Sequence, residues 1–258
     1  MIYKKHLGVQ IPDELLANFL DKQWLLEHAE HVHKNQVNVV AKLNKPIPNA
    51  PEKYVIKYFG WRNTISRILS PVMRSRAKKS WDAAHWLLEH DVQTPKPIAV
   101  HTERQFGFIR ENFYLCESLE DFRSARRILN DPTVSERDKD SLLKIMAEMV
   151  REIHDHNFVH GDLTIANFMV VDLIPEDVYL IDLNRGVHFF YLTDKRRIRD
   201  IAKMDLCDCS MVVGHPNCRR EQFLRYYSID YVNDLKLLQN ALMKKKRRKY
   251  LKKKLRGN

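Results

Sequence analysis

Strand-like and helix-like hydrophobic patterns are separated along this chain of 258 residues. Four short segments are rich in β-branched and aromatic side chains, as strands are: residues 37–43, 54–59, 97–101 and 112–117. One helical pattern interrupts them at residues 75–90, and it must end before Thr94-Pro95. Helical patterns dominate after residue 117, with a strand pair among them. This order predicts an α+β fold with two lobes and a cleft between them.

The patterns divide the chain into a strand-rich N-lobe (1–117), a helical C-lobe (118–243) and a basic tail (244–258). The net charge is +11, from 44 basic and 33 acidic residues. The tail holds 10 basic residues and no acid, so the other 243 residues carry 34 basic and 33 acidic side chains. The surplus is therefore local, and it predicts a polyanionic partner such as nucleic acid, an acidic membrane surface or phosphorylated glycans.

A second basic concentration lies in the N-lobe. Seven basic residues occur there without an intervening acid: Lys57, Arg62, Arg67, Arg74, Arg76, Lys78 and Lys79. A solvated surface would explain this block equally simply. Beside a phosphate-binding cleft, however, it would be placed to bind an anionic acceptor.

The expected location follows from three further features. The start of the chain, MIYKKHLGVQIPDELL, lacks the apolar core of a secretory signal. No apolar run approaches the ~18 residues that a membrane-spanning helix needs. Four cysteines in a chain of this length fit a reducing compartment. We therefore expect a cytoplasmic protein whose contact with a membrane is peripheral.

The most informative motif is HGDLTIAN at 160–167, followed by LIDLNR at 180–185. Asp162, Asn167 and Asp182 supply three oxygen ligands from two adjacent loops. Phosphoryl transfer needs this set, because one carboxylate accepts the proton of an attacking hydroxyl while an amide oxygen and a second carboxylate hold Mg²⁺ against the nucleotide phosphates. We therefore predict Asp162 as the base and Asn167 and Asp182 as metal ligands.

This motif pair resembles the catalytic and metal-binding loops of the protein-kinase-like superfamily. The resemblance implies a bilobal kinase fold that binds ATP and Mg²⁺. It makes Lys57, in the strand motif Val55-Ile56-Lys57, the ligand of the α- and β-phosphates. It also places the adenine-binding hinge where the apolar strand 113–117 ends, with Glu117 and Leu119 as the candidate residues.

Three positions depart from the usual kinase pattern. The helix 75–90 should supply an acid that pairs with Lys57, but Ser80 occupies that place and Asp82, the nearest acid, would point elsewhere on a regular helix. The expected phosphate-loop position, 34–38, contains no glycine. The metal-binding Asp182 is followed by Leu183-Asn184, without the usual glycine. The partner of Lys57 and the means of covering the phosphates therefore stay open.

Within the superfamily, the order and spacing of the motifs over residues 34–205 most closely resemble the Kdo/WaaP lipopolysaccharide kinase family. The resemblance implies ATP-dependent phosphorylation of a Kdo or heptose hydroxyl on a lipid-A-linked core oligosaccharide, at the inner face of the inner membrane. The basic segment Lys244–Arg256 would bind the anionic membrane surface, and nucleic acid is an unexpected partner. The alternatives are an atypical protein or tRNA-assembly-linked kinase, and a non-catalytic kinase-fold adaptor on anionic surfaces.

Overall fold

The computed structural model describes residues 2–5, 9, 11–60, 68, 70–171, 177–207 and 218–255. The chain forms two compact units. The N-terminal unit comprises Met1–Glu120 and Asp182–Arg185, and the C-terminal unit comprises Asp121–Ile181 and Gly186–Asn258. A strand-rich first unit and a largely helical second unit confirm the predicted α+β class. Three of the basic residues discussed above lie outside the described residues: Arg62, Arg67 and Arg256.

A twisted antiparallel sheet forms the centre of the N-terminal unit. Its strands are β1 (Ile2–Lys5), β2 (His31–Asn35), β3 (Asn38–Leu43), β4 (Tyr54–Phe59), β5 (Pro97–Gln105) and β6 (Phe108–Glu117). They are hydrogen-bonded in the order β1-β5-β6-β4-β3-β2. Because side chains alternate along a strand, β4 directs Tyr54 and Ile56 to one face and Lys57 to the other.

Two short helices, α1 (Asp13–Asn18) and α2 (Lys22–His28), pack on the Tyr54 face of this sheet. Phe19, between them, is fully buried, and its ring makes edge contacts with Tyr54 and Phe113 at centroid distances of 6.1 and 5.6 Å. The sequence predicts only one helix in this part of the chain, so α1 and α2 are an addition. With 6 and 7 residues they are too short to show helical periodicity, and their packing on the sheet stabilises them.

Helix α3 (Arg76–Glu89) covers part of the opposite face and confirms the helix predicted at 75–90. Ser75 is its N-cap, because its hydroxyl oxygen accepts a hydrogen bond from the Lys78 amide at 3.0 Å. Its buried side includes Ala77, Trp81, Ala84 and Leu87. The 3₁₀ segment Leu183–Arg185, the part of the N-terminal unit that comes from the second half of the chain, packs against α3.

A tight turn at Gln36-Val37 joins β2 to β3, at the place where a glycine-rich phosphate loop was expected. The amide of Gly60, directly after β4, donates to the Val37 carbonyl at 3.1 Å. A Cβ atom at Gly60 would lie 2.1 Å from that carbonyl oxygen. The glycine of this region is therefore needed for close backbone approach across the sheet rather than in the turn itself.

The C-terminal unit combines helices with two small sheets. Its helices are α4 (Ala125–Asn130), α5 (Glu136–Asp155), α6 (Asp194–Ile201), α7 (Arg219–Tyr227) and α8 (Tyr231–Leu255). Its strands are β7 (Phe122–Ser124), β8 (Phe158–Val159), β9 (Phe168–Val171), β10 (Val178–Leu180) and β11 (Val187–His188). The strand orders are β10-β9-β7 and β11-β8.

Helix α5 begins where its sequence predicts. The Ser135 hydroxyl oxygen accepts from the Asp138 amide at 3.1 Å, and the hydroxyl donates to the Asp138 carboxylate at 2.7 Å. The apolar stripe of α5 is buried and packs against α7; it contains Leu142, Met146, Val150 and Ile153. This packing places the end of α5 directly before β8 and the loop that follows it.

Helix α8 is continuous over 25 residues, so most of the predicted basic tail is helical. The Lys245 ammonium donates to the Ala202 carbonyl at the end of α6 at 3.0 Å. Residues 244–254 are exposed. Over the described residues, no helix is both long and apolar enough to cross a bilayer.

Candidate active site

The loop after β8 carries the predicted base. His160 is fully buried, and its Nε2 donates to the Ile181 carbonyl at 2.9 Å. The amide of Asp162 lies 3.3 Å from His160 Nδ1, which accepts its proton. Because a carbonyl can only accept and an amide can only donate, these bonds assign the neutral Nε2–H form to His160. The imidazole thus ties the turn at Gly161 to the strand segment that leads to Asp182.

Asp200 on α6 holds the same loop by its backbone, and the sequence analysis did not identify it. Its carboxylate accepts from the amides of His160 at 2.9 Å and Gly161 at 3.1 Å. The Lys203 ammonium donates both to this carboxylate at 2.8 Å and to the Gly161 carbonyl at 2.7 Å. The conformation of the loop is therefore fixed by charge-assisted hydrogen bonds from one buried helix.

The electrostatics of Asp200 follow from its neighbours. Burial alone would raise the pKa of Asp200, but the imidazole of His154 and the ammonium of Lys203 outweigh burial and lower this pKa to about 2. His154 Nε2 lies 3.6 Å from the carboxylate, outside hydrogen-bond distance, and its Nδ1 bonds to the Tyr227 hydroxyl at 2.9 Å. Asp200 is therefore ionised at neutral pH. A sequence signal exists only in hindsight, as an acid between the buried residues Ile198 and Ile201.

Asn167 closes the other end of the loop. Its side-chain nitrogen donates to the Asp162 carbonyl at 2.9 Å, so the side-chain oxygen points the other way. Its backbone carbonyl accepts from the Ile181 amide at 2.9 Å. The structure thus brings Asp162 and Asn167 together in the C-terminal unit. It also anchors Ile181, the residue before Asp182, to Asn167.

Asp182 begins the short segment that belongs to the N-terminal unit. Its φ is 63°, a left-handed conformation that is uncommon for an aspartate and that clusters at functional sites. The Asn184 side-chain amide donates to one of its carboxylate oxygens. Two carboxylates and one amide oxygen are hard donors of the type that Mg²⁺ prefers, so Asp162, Asn167 and Asp182 fit this ion chemically.

Lys57 lies in the middle of the sheet, on β4, in register with Val40 on β3 and Tyr114 on β6. It is half-buried. Burial raises the pKa of the Cys116 thiol to about 11, and the positive charge of Lys57 opposes this rise. Among the residues that the structure describes, Lys57 makes no ion pair.

Neither of the two residues considered as partners of Lys57 is directed to it by a hydrogen bond. The Ser80 hydroxyl is buried and donates to the Arg76 carbonyl at 3.1 Å, within its own helix. Asp82 forms an ion pair with Lys78, one turn away, and lies 3.6 Å from Arg74. The acid of α3 therefore stabilises the start of its own helix.

Two buried amides fix α3 to the Lys57 face of the sheet, which the sequence analysis also missed. Asn112 on β6 accepts from the Ala77 amide at 3.2 Å and donates to the Phe59 carbonyl at 3.2 Å. Asn38 on β3 accepts from the Arg76 guanidinium at 3.0 Å. Helix and sheet are thus held together by neutral amides and one arginine.

The predicted hinge begins at Glu117, the last residue of β6. The Glu117 amide donates to the Lys96 carbonyl at 3.0 Å, and its side chain accepts from the Lys96 amide at 2.9 Å. The Ser118 amide donates to the Lys53 carbonyl at 3.3 Å. These amides are therefore engaged within the N-terminal unit, and half-buried Leu119 follows them. Adenine binding by Glu117 and Leu119 stays a prediction.

Comparisons with known proteins agree with these motifs. Residues 54–227 match the model of the lipopolysaccharide kinase (Kdo/WaaP) family. A 3-deoxy-D-manno-octulosonic acid kinase of Vibrio cholerae serotype O1 is 26% identical over 112 residues, which are 43% of this chain and 45% of that protein. The match thus spans less than half the length of this relative.

The fold has a similar solved structure. The structure of WaaP in complex with acyl carrier protein superposes with a TM-score of 0.62 at 18% identity, covering 95% of this chain and 99% of that one. At this identity the match supports the fold, and it covers both units.

Proposed function

Because the chain belongs to the lipopolysaccharide kinase (Kdo/WaaP) family, we propose that it is an ATP-dependent kinase that phosphorylates a Kdo or heptose hydroxyl of the lipopolysaccharide inner core. The observation that carries the proposal is the catalytic loop, in which Asp162 and Asn167 are held by His160, Asp200 and Lys203. Positioning of this kind is the main contribution that a protein makes to phosphoryl transfer.

In the proposed reaction, Asp162 orients the sugar hydroxyl and accepts its proton as the oxygen attacks the γ-phosphorus of ATP. The new O–P bond forms while the bond between the γ-phosphorus and the β,γ-bridging oxygen breaks, and ADP leaves. Lys57 neutralises the α- and β-phosphates, and the backbone around Glu117 and Leu119 accepts the adenine. Asn167 and Asp182 would hold Mg²⁺, which supplies positive charge to the phosphates in the transition state.

The choice of a lipid-linked anionic acceptor draws on the charge distribution. The core sugars of lipopolysaccharide carry carboxylate and phosphate groups on a membrane anchor. The N-terminal unit exposes basic residues at the start of α3, and α8 ends in a run of lysines and arginines. A cytoplasmic enzyme that is peripheral on the inner face of the inner membrane needs both kinds of surface.

The direct test incubates the purified chain with labelled ATP, Mg²⁺ and rough-type lipopolysaccharide, with protein and tRNA as separate acceptors. We expect label in the lipopolysaccharide alone. Replacement Asp162→Asn should abolish transfer while ATP still shifts the unfolding temperature. Transfer to protein or tRNA instead would favour the atypical kinase. Unchanged turnover of the variant would contradict the role of Asp162 as base.

A non-catalytic adaptor is the second candidate, and one observation favours it. Lys57 has no ion-pair partner among the described residues, whereas Asp82 is engaged with Lys78. The acceptor test separates the two candidates. An adaptor would bind anionic vesicles without transferring phosphate to any acceptor.

The membrane role of Lys244–Arg256 has its own test. Removal of residues 244–258 should weaken binding to anionic vesicles most strongly at low salt, because screening shortens the range of the attraction. Equal binding with and without these residues would contradict the role. The similar WaaP structure contains acyl carrier protein, so this carrier is a further candidate partner that a pull-down with the full chain would test.

A further inference from the structure

Two adjoining turns of the N-terminal unit expose large apolar side chains to solvent. Phe106, at the tip of the β5–β6 hairpin, is 92% exposed, and Val72, in the turn before α3, is 88% exposed. Met73 and Phe108 beside them are also exposed. We call residues 70–74 and 105–108 together the tip surface. Apolar groups this exposed, next to one another, commonly mark a site of interaction.

Neither the backbone nor the core requires a phenylalanine at this tip. Gln105 and Phe108 are paired in register, so Phe106 and Gly107 form a two-residue turn. Their φ values are 50° and 83°, both positive, as in the type I′ turn that favours asparagine followed by glycine. A bulky residue in this conformation is uncommon. Its ring contributes contact area outside the fold rather than within it.

Arg104 holds the two turns together as one surface. Its guanidinium donates to the carbonyls of Ser70 at 3.0 Å, Met73 at 2.7 Å and Gly107 at 2.7 Å. The Ile109 amide donates to the Ser70 hydroxyl oxygen at 3.1 Å. The exposed apolar side chains are therefore presented on a braced support, with a positive charge directly behind them.

A basic cavity of about 330 Å³ adjoins the tip surface and shares Ser70, Met73 and Arg74 with it. Its cationic lining residues are Arg74, Arg76, Lys79 and Arg185. Among the described residues that line it there is no carboxylate, and Ser75, Asn112 and Asn184 add polar groups. Such a lining favours an anion, and phosphate is the anion that guanidinium groups bind best.

We propose that the tip surface docks the N-terminal unit on an anionic lipid bilayer. Phe106 and Val72 enter the boundary between headgroups and acyl chains, and the adjoining cavity binds a lipid phosphate. Peripheral proteins bind membranes through this combination of buried apolar area and attraction to anionic lipids. The inference goes beyond phosphotransfer, and it adds a second membrane contact to the one proposed for α8.

Charge selects this surface over another exposed apolar residue. Ile229, in the C-terminal unit, is also 92% exposed. It lines a pocket together with Asp194, Asp230 and Asp234. Those carboxylates would repel anionic lipids, whereas the cations around the tip surface attract them. Ile229 therefore provides a matched control for Phe106.

The test measures the partitioning of the full chain onto vesicles of phosphatidylethanolamine and phosphatidylglycerol. The double variant Phe106→Asn, Val72→Ser should lower the partition coefficient about tenfold or more, because the apolar side chains no longer leave water. Ile229→Ser should leave it unchanged. At about 1 M salt the Debye length falls to ~3 Å, so attraction by α8 is screened while the difference between the variants persists. Equal partitioning of wild type and double variant would overturn the proposal.

The cavity is tested by Lys79→Gln. We expect roughly fivefold weaker partitioning onto the anionic vesicles and no change on phosphatidylcholine vesicles. Thermal shifts with inorganic phosphate form the second arm. Loss of a phosphate-induced shift without any change in vesicle binding would mean that the cavity serves a soluble anion, which contradicts its role in docking.

A third variant guards against misfolding and against a protein partner. Phe106→Trp retains an aromatic side chain, and it should add quenching by brominated lipids beyond that of the wild type. Absence of this added quenching would contradict insertion. A dimer that the double variant disrupts, together with weak vesicle binding, would identify the tip surface as a contact between copies of this chain. Because these readouts need neither ATP nor acceptor, they fail or succeed separately from the kinase proposal.

Discussion

The catalytic loop of the C-terminal unit and helix α3 of the N-terminal unit are both fixed by buried polar side chains, but of different kinds. A carboxylate, Asp200, holds the loop through two backbone amides and Lys203. Neutral amides, Asn112 and Asn38, hold α3 to the sheet. A buried charge gives strong, directional bonds but is costly when its partners are lost, whereas an amide costs less and does not titrate.

The largest expected effect is that of Asp200→Ala. It leaves two buried amides and the Lys203 ammonium without their acceptor, so we expect a loss of about 3–5 kcal/mol in the free energy of unfolding. Transfer activity should fall with it, because the loop carrying Asp162 loses its support. Urea unfolding and the acceptor assay measure the two effects. Asp205→Ala is the control, since Asp205 forms an exposed pair with Arg126 and should cost about 0–1 kcal/mol.

The second prediction concerns acid. The pKa of Asp200 is about 2 in the folded chain, against 3.8 as its ordinary value. A lowered folded-state pKa stabilises the fold above the unfolded-state value, and this stabilisation is lost as the pH falls from about 4 through 2. It amounts to about 2 kcal/mol. The stability difference between wild type and Asp200→Asn should therefore shrink over that pH range. A constant difference would contradict the assignment.

The amide anchor of α3 should behave differently. Asn112→Ala leaves the Ala77 amide and the Phe59 carbonyl buried without a partner, and we expect a loss of about 2 kcal/mol. Unlike that of Asp200, the loss should be the same at every pH between about 4 and 2, because amides do not titrate there. Asn233→Ala, at an exposed position, is the control. A pH-dependent loss would break the distinction between the two anchors.

The smallest expected effect is that of Asp82→Ala. Its ion pairs are with Lys78 and Arg74 on the partly exposed start of α3, so their loss should cost about 0.5 kcal/mol. Transfer activity and the KM for ATP should stay within twofold of wild type. A much larger rise in KM would mean that Asp82 supports Lys57 after all, and Ser80→Ala would then serve as the comparison.

Elements with local signals could be predicted from the sequence. Ser75 and Ser135 precede amphipathic segments and cap the two helices expected there. β4 has the bounds read from its β-branched and aromatic residues. The catalytic loop was identified because Asp162 and Asn167 lie five residues apart, so that local geometry alone brings them together.

Features that depend on contacts distant in sequence could not be predicted. Asp200 acts on a loop about 40 residues earlier, and nothing near it indicates that target. Asn112 joins β6 to a helix 35 residues before it. The short helices α1 and α2 depend on burial of Phe19 and Leu25 against a sheet formed later in the chain. In each case tertiary packing decides what the local pattern leaves open.

The basic end of α8 stores electrostatic repulsion. Lys244, Arg248 and Lys252 follow one another at four-residue spacing, and neighbouring rows repeat the pattern, so like charges face each other on successive turns. Favourable interaction of the last lysines with the helix dipole offsets this repulsion only in part. An anionic surface relieves it from outside. The end of the helix therefore acts as a charged spring, whose order increases when counter-charges arrive and decreases in their absence.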